Sequence, residues 1–265
     1  MLNLNNISIT FNANTPDENN ALRNINLNIK KGDFITVIGS NGAGKSTLYN
    51  VIAGTLKPTT GTILLTGEDG VQKNITNDAE FKRARYIGRI FQNPLLGTAG
   101  KMRLEDNMMI CYKKGFKGLK ISLNNKMRAF FRDQLKVLNM GLEDRLGDNV
   151  DQFSGGQRQA LTLLMAVMSK PSLLLLDEHT AALDPTNAAI VMELTRRFAQ
   201  EYNLTVMMVT HNMQHALDYG NRLIMMNKGE IISDIAGEEK KQLTMDSIVE
   251  LFKKIKVNND NVMLN

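Results

Sequence analysis

A single cysteine, Cys111, occurs in 265 residues, so no disulfide can form within the chain, and this usage fits a reducing compartment. The chain is long enough to do without such a staple. At roughly 150 residues per domain it makes one large domain or two small ones, and folds approaching 300 residues hide about 75% of their unfolded surface. Long apolar runs are missing too. Stretches such as residues 163–168 and 173–176 fall far short of the roughly 18 residues that span a bilayer, so no part of the sequence is expected to cross a membrane. The opening residues alternate apolar side chains with asparagine and carry Asp17 and Glu18, with no basic head before an apolar run, which argues against a secretory signal. No internal repeat and no separate regulatory domain is visible.

What is present is ordinary globular composition, 43% hydrophobic and 22% charged, with a net charge of +5. That mild excess permits contact with phosphates or anionic headgroups without demanding nucleic acid. Composition therefore predicts a soluble cytoplasmic globule and is silent on its task.

Patterning is more informative. Leu2, Leu4, Ile7, Ile9 and Phe11 are expected on one face of a strand, and Ile25, Leu27 and Ile29 on a second, the two pairing antiparallel. Residues 34–38 form a continuous apolar run ended by Gly39 and followed by Leu48, Val51 and Ile52 at helical spacing, the signature of a buried parallel strand feeding a helix. Further strands are expected at residues 63–65, 86–91, 173–176 and 204–209, separated by helices that include residues 188–199 after Asp184-Pro185 and 213–219 before Gly220. Strands alternating with helices imply an α/β sheet. A hairpin is expected from residues 222–226 and 230–235, turning at Asn227-Lys228-Gly229. Residues 93–151 lack a strong strand. Phe131, Leu135 and Leu138 recur there behind a candidate Ser122 cap and ahead of Gly141, which reads as a mostly helical insert. After Gly237 one short amphipathic helix over residues 245–255 and a fraying polar end are expected.

Gly39-Ser40-Asn41-Gly42-Ala43-Gly44-Lys45-Ser46-Thr47 satisfies G-x-x-x-x-G-K-[ST] in full. Glycines allow successive backbone N–H groups to curl around an anionic phosphate, and the helix that follows adds the positive end of its dipole. Lys45 can reach the β and γ phosphates, the Ser46 hydroxyl suits Mg²⁺, and Thr47 suits the α phosphate. The bland alternative, a glycine-rich turn with an incidental lysine, is weakened by the position of the motif between a buried strand and a helix. The run at residues 173–176 ends in Asp177-Glu178, where Asp177 would hold hydrated Mg²⁺ and Glu178 could polarise the attacking water. A strand ending in two acids is commonplace alone; the phosphate loop makes the pair informative. His211 and His215 lie four apart, but Asn212 stands where a zinc protease needs Glu and no third ligand suggests itself, so a zinc site is not expected.

Phe153-Ser154-Gly155-Gly156-Gln157 opens another helix, and a serine with two glycines at a helix N-terminus is a second anion cradle. This segment closely resembles the signature motif of ATP-binding cassette (ABC) ATPases, and the likeness spans nearly the whole chain in the right order. It implies an α/β fold with a P-loop NTPase (RecA-like) core, an N-terminal antiparallel β subdomain and a helical insert. Within one ABC ATPase domain over residues 1–265, residues 1–92 and 152–236 would form the nucleotide-binding core, 93–151 the helical part and 237–265 the C-terminal helix and tail. Phe11 resembles the aromatic that stacks on adenine, the alternative being ordinary strand core. Gln92, within Ile90-Phe91-Gln92-Asn93-Pro94, matches the glutamine that contacts Mg²⁺ and the lytic water; Ala182-Leu183-Asp184 matches the D-loop; His211 matches the switch histidine. The resemblance makes Glu178, His211 and Gln92 catalytic, Ser46, Gln92 and Asp177 metal-binding, and assigns ATP to Phe11, to residues 39–47 and to Ser154, Gly155, Gly156 and Gln157. His179 replaces a proline usual in the family and is expected to have no catalytic duty.

The family resemblance further implies a head-to-tail dimer in which the signature of one subunit covers the γ phosphate bound in the other. It places the chain on the cytoplasmic face of the membrane with a separate permease, a second ATPase subunit, expected to be another copy, and an extracytoplasmic solute-binding protein. The three signature stretches, His179 included, look most like bacterial importers of the tryptophan/tyrosine type or other small solutes. The alternative is a non-transport ABC ATPase acting on the ribosome or nucleic acid, to which Lys113, Lys114, Lys117 and Lys120 could contribute phosphate contacts; a solvated loop is the simpler reading of that cluster, and no nucleic acid is expected. A binding protein without catalysis is disfavoured by the intact Lys45, Gln92, Asp177, Glu178 and His211.

Overall fold

The computed structural model describes residues 1–67, 70–112 and 123–262, with the side chains of 254–262 left aside. Strands β1 (Leu2–Phe11) and β2 (Asn19–Ile29) pair antiparallel, with Ile7 opposite Ile25. The odd step from Leu4 to Ile7 would turn Ile7 outward in a regular strand. Asn6, at φ 52°, makes a left-handed bulge that returns Ile7 to the buried face, and Asn24, at φ 47°, does the same between Leu22 and Ile25. Both bulged amides find side-chain acceptors: Asn6 N donates to Asn26 Oδ1 at 2.9 Å and Asn24 N to Ser8 Oγ at 3.0 Å. Phe11 departs from the expected shared face. It sits at the open end of β1 and is 38% exposed.

The chain continues through β3 (Phe34–Gly39), α1 (Lys45–Ala53), β4 (Thr60–Thr66), β5 (Gln72–Asn74), the single turn α2 (Glu80–Arg83) and β6 (Ile87–Ile90). Strands β4 and β5 complete an antiparallel sheet in the order β2-β1-β4-β5. Next come α3 (Leu104–Tyr112) and α4 (Asn125–Lys136), both within residues 93–151 where a mostly helical insert is expected, and then α5 (Gly155–Met168). The cap of α4 is corrected. The candidate Ser122 lies outside the described residues, and Asn124 caps α4 by accepting from Met127 N at 2.9 Å. Strand β7 (Leu173–Asp177), α6 (Pro185–Glu201), β8 (Val206–Val209), α7 (Met213–Asp218), and the hairpin β9 (Arg222–Asn227) and β10 (Glu230–Ala236) follow. The tail holds two helices, α8 (Gly237–Lys241) and α9 (Met245–Val262), instead of the single short one expected. Lys240 explains the extra turn: buried, it donates to the carbonyls of Leu217, Tyr219 and Gly220 at 2.7, 2.7 and 3.0 Å, capping the end of α7.

The second sheet runs β10-β9-β3-β8-β7-β6, parallel except for the terminal hairpin. Its continuous apolar strands are buried on both faces, and the period-two alternation divides them between two cores. Leu173, Leu175, Met207 and Val209 join α1 and the antiparallel sheet, whereas Leu174, Leu176, Val206 and Met208 join α5, α6 and the helical insert.

Two buried polar residues tie these layers together. Arg83, 1% exposed, donates to the carbonyls of Val51 and Ile52 at the end of α1 and to those of Thr76 and Asp78. Arg83→Met should leave those carbonyls unpaired and cost about 3 kcal/mol, read as a fall in Tm of about 6–12 °C. His179 lies behind β7 with Nε2 3.0 Å from Thr195 Oγ1, whose own proton goes to Val191 O at 2.8 Å, so the ring donates from Nε2. Burial, aided by the charge of His215, pulls its pKa down to about 3. An unfolded histidine takes up its proton near pH 6.5 and the folded one does not, so this contribution is whole above pH 6.5 and drains as the pH falls towards about 3. The acid limb of Tm against pH should flatten in His179→Gln, which keeps the donor and loses the titration, by up to about 1.4 kcal/mol per pH unit.

Candidate functional site

The phosphate loop leaves the centre of the parallel sheet, between β9 and β8, and two glycines show why it cannot carry side chains. At Gly39 a Cβ would lie 2.4 Å from the Met226 carbonyl oxygen; at Gly44, with φ 98°, it would lie 2.7 Å from that of Ala21. Distant segments clamp the loop. Gly229 in the β9–β10 turn donates to Ala43 O at 3.0 Å and its carbonyl accepts from Arg23 N of β2 at 2.8 Å. Lys45 Nζ folds over the loop and donates to Gly39 O at 2.7 Å and Ser40 O at 3.0 Å. Burial lowers its pKa, and the carboxylates of Glu178 and Asp177 oppose that shift, which places both acids within electrostatic reach of the ammonium group.

Those acids come from the next strands. Asp177 ends β7, and Glu178 turns out of it with φ 48°, a conformation unusual for a side chain of its size, while its amide donates to Val209 O of β8 at 3.2 Å. Glu178 Oε1 stands 2.6 Å from Nε2 of His211, which follows β8 directly. His211 is held by its neighbours: Thr210 Oγ1 accepts from Asn212 N at 3.0 Å, and Asn212 caps α7. Asp177 Oδ2 meets a cation from the strand beside it, Arg89 Nη2 at 3.4 Å.

A cavity of about 640 Å³ opens over these groups, lined by Phe11, by residues 41–47, and by Glu178 and His211. Gly39 and Ser40 contribute from beneath through the carbonyls that hold Lys45. Asp177, Gln92 and the segment Ser154–Gln157 are not among its lining residues. Gln92 is exposed in the loop after β6. Ser154, Gly155, Gly156 and Gln157 begin α5 in a reciprocal capping box: Gln157 N donates to Ser154 Oγ at 3.2 Å and Ser154 N to Gln157 Oε1 at 3.1 Å. The start of α5 packs on the start of α6 so closely that a Cβ on Gly156 would lie 2.3 Å from Asn187 Oδ1. Asn187 in turn donates to Asp184 Oδ1 and Oδ2 at 3.1 and 2.6 Å, which lowers the Asp184 pKa. The starts of α5 and α6 thus form one closely packed corner outside the cavity lining.

Arg23, Lys228 and Arg89 were missed in the sequence. Arg23 and Lys228 line the cavity. Arg23 is an outward residue of an alternating strand and Lys228 the middle of a turn, positions where a cation is unremarkable until the fold brings them together. Among the described residues, no group of three or more His, Cys, Asp or Glu could hold a metal ion. The oxygens of Ser46, Asp177 and Glu178 suit a small hard cation that keeps water and phosphate among its ligands.

The chain matches the ABC transporter family over residues 22–181. It is 42% identical over 253 residues to the tyrosine transport ATP-binding protein of Clostridioides difficile, covering 95% of this chain and 98% of that one. It is 32% identical to the energy-coupling factor transporter ATP-binding protein EcfA1 of Mycoplasmopsis synoviae, over 96% of this chain and 88% of the relative. Among solved structures it is similar to the dimeric cassette MJ0796 in a post-hydrolysis state bound to ADP and Pi, with a TM-score of 0.72, 28% identity, and coverage of 89% of this chain and 98% of that one. The chain therefore belongs to the ABC transporter family and is an ATP-hydrolysing subunit of that kind.

Proposed function

We propose that the chain drives uptake of a small solute, an aromatic amino acid such as tyrosine, by binding ATP with Mg²⁺ between two copies of itself on the cytoplasmic face of a membrane. The observation that carries this reading is the division of the phosphate-binding elements: the loop at residues 41–47 shares a cavity with Glu178 and His211, while Ser154 and Gly156 lie outside its lining. One chain then offers half of two sites. A second copy facing head to tail would bring its signature helix N-terminus over the γ phosphate, where backbone N–H groups and the helix dipole favour negative charge.

Each residue has a task in that frame. The loop amides and Lys45, released from the carbonyls of Gly39 and Ser40, bind the β and γ phosphates; Phe11, exposed at the cavity rim, stacks on the base. Ser46 and Asp177 would hold Mg²⁺, with Gln92 as a further oxygen donor, and the bound ion would supply charge neutralisation at the phosphates. Glu178 accepts the proton of the attacking water, and His211, hydrogen-bonded to it at 2.6 Å, orients the carboxylate and senses the γ phosphate. Loss of the γ phosphate removes the bridge between the subunits and lets them part.

Among the described residues no helix is long and apolar enough to cross a membrane, so the solute path belongs to a separate permease, served by an extracytoplasmic solute-binding protein. A groove of about 500 Å³ beside the Gln92 loop, lined by Phe81, Ile87, Ile110 and Met165, would receive an apolar segment of that permease. Phe81, 74% exposed, is its most prominent unburied side chain. The solute is inferred from the 42% identity to the tyrosine transport protein. The Lys113–Lys120 cluster, the one hint of a nucleic-acid role, lies outside the described residues.

Glu178→Gln should retain ATP binding and form an ATP-dependent dimer on size exclusion, while hydrolysis falls by about 10²–10⁴-fold. Hydrolysis at the unmodified rate would remove Glu178 as the base. Phe81→Asp should leave ATP binding intact and abolish co-purification with the permease from detergent-solubilised membranes; undiminished recovery would place the docking surface elsewhere.

A further inference from the structure

Arg89 is a largely buried cation beside Asp177 that the motifs leave unused. It stands opposite Leu175 in the parallel β6–β7 pair, and Asp177 lies two residues further along β7, so the two side chains share the face that carries α1. Its guanidinium touches three parts of the site at once. Nη1 donates to Asn50 Oδ1 of α1 at 2.8 Å, Nη2 stands 3.4 Å from Asp177 Oδ2, and Cζ lies 4.6 Å from the centre of the Phe91 ring, in the segment that leads into Gln92. Tyr49, fully buried next to Asn50 on α1, registers the same pair: burial, then the charge of Asp177, raises its phenol pKa, and Arg89 opposes the shift.

The attachment is uneven. The bond to the uncharged Asn50 amide oxygen is short, whereas the contact with the carboxylate is long for an ion pair, and Arg89 Nε is buried with no hydrogen-bond partner among the described residues. Arg83, by contrast, engages all three of its guanidinium nitrogens, on four backbone carbonyls. With side chains only 13% and 17% exposed, Arg89 and Asp177 interact in surroundings where water screens them poorly. The carboxylate is thus neutralised by a cation that is anchored elsewhere and can give it up.

We propose that Arg89 is a positioning residue that holds Asp177 in the metal-free protein and yields it to the divalent cation that arrives with the nucleotide. The inference rests on the reading of Asp177 as a metal-binding carboxylate. Because guanidinium and divalent cation draw on one carboxylate, Arg89 weakens metal binding while keeping the empty site ordered. Because it lies three residues before Gln92 and against Phe91, its release is also felt on the strand that enters the glutamine loop.

The test uses the full chain with a non-hydrolysable ATP analogue and Mn²⁺, free Mn²⁺ being read from its electron paramagnetic resonance signal. Arg89→Gln, which can still bond Asn50, should bind Mn²⁺ three- to tenfold more tightly than the unmodified protein and melt at lower temperature without nucleotide. Its analogue affinity in EDTA should be unchanged. Arg89→Lys, which keeps the charge, should restore metal affinity to within twofold of the unmodified value. Unchanged or weaker Mn²⁺ binding in Arg89→Gln overturns the proposal. Asp177→Asn separates the two layers of the argument: if it binds Mn²⁺ as the unmodified protein does, the metal assignment itself fails, whereas lost binding there with no tightening in Arg89→Gln refutes the role of Arg89 alone. Should Arg89→Gln not fold, the ¹⁵N side-chain resonance of Arg89 in the unmodified protein, assigned by its loss in Arg89→Lys, decides. It should shift on adding analogue with Mg²⁺ and not with analogue in EDTA, and an unmoved signal overturns the proposal.

Discussion

The parallel register of β3, β8 and β7 is the constraint on which the site depends. Val209 stands opposite Val37 on one side and Asp177 on the other. Three strands therefore end together at one edge of the sheet, and each delivers its chemistry in the residues that follow: the phosphate loop after β3, Thr210 and His211 after β8, Asp177 and Glu178 at the end of β7. In a parallel sheet buried on both faces, a slip of one residue would exchange the side chains of two different cores. The packing that stabilises the fold is thus the same packing that aligns Glu178 with His211 at 2.6 Å.

Around that edge the protein gathers cations that answer to more than one partner. Lys45 is held by its own loop carbonyls and Arg89 by Asn50 and, loosely, by Asp177. Without nucleotide these contacts keep the charged groups paired in a poorly screened place. On the proposed reading, a phosphate or a divalent cation exchanges existing contacts for better ones instead of ordering a loose site. The corner made by Ser154, Gly156, Asn187 and Asp184 is built differently. Its polar groups bond within the chain through the capping box and the Asp184–Asn187 bonds.

Much of this was legible without coordinates because it depends on local chemistry. Continuous apolar runs ending in Gly39 or Asp177 mark buried strands, and Asp184-Pro185 marks a helix start. The errors share a cause, which is that tertiary partners decided the outcome. Phe11 continued the alternation of Ile7 and Ile9, but a further register irregularity falls between Ile9 and Thr10 and β1 ends at Phe11, so its place at the rim could not be counted out from Leu2. The extra turn α8 exists because Lys240 found the end of α7, and α4 starts from Asn124. Arg23, Lys228 and Arg89 carry no spacing signal at all, since each is brought to the site by strand pairing or by a hairpin turn.

The sequence by itself determined the kind of chemistry, because a loop of glycines with a lysine and a strand ending in two acids must be contiguous in the chain to work. Only the tertiary structure decided which residues meet. The contact between Glu178 and His211, the clamp of Gly229 on Ala43, and the reach of Arg89 to both Asn50 and Asp177 join segments that lie tens to nearly two hundred residues apart. Such contacts depend on register and on the face to which a side chain turns, and neither is written at any one position of the chain.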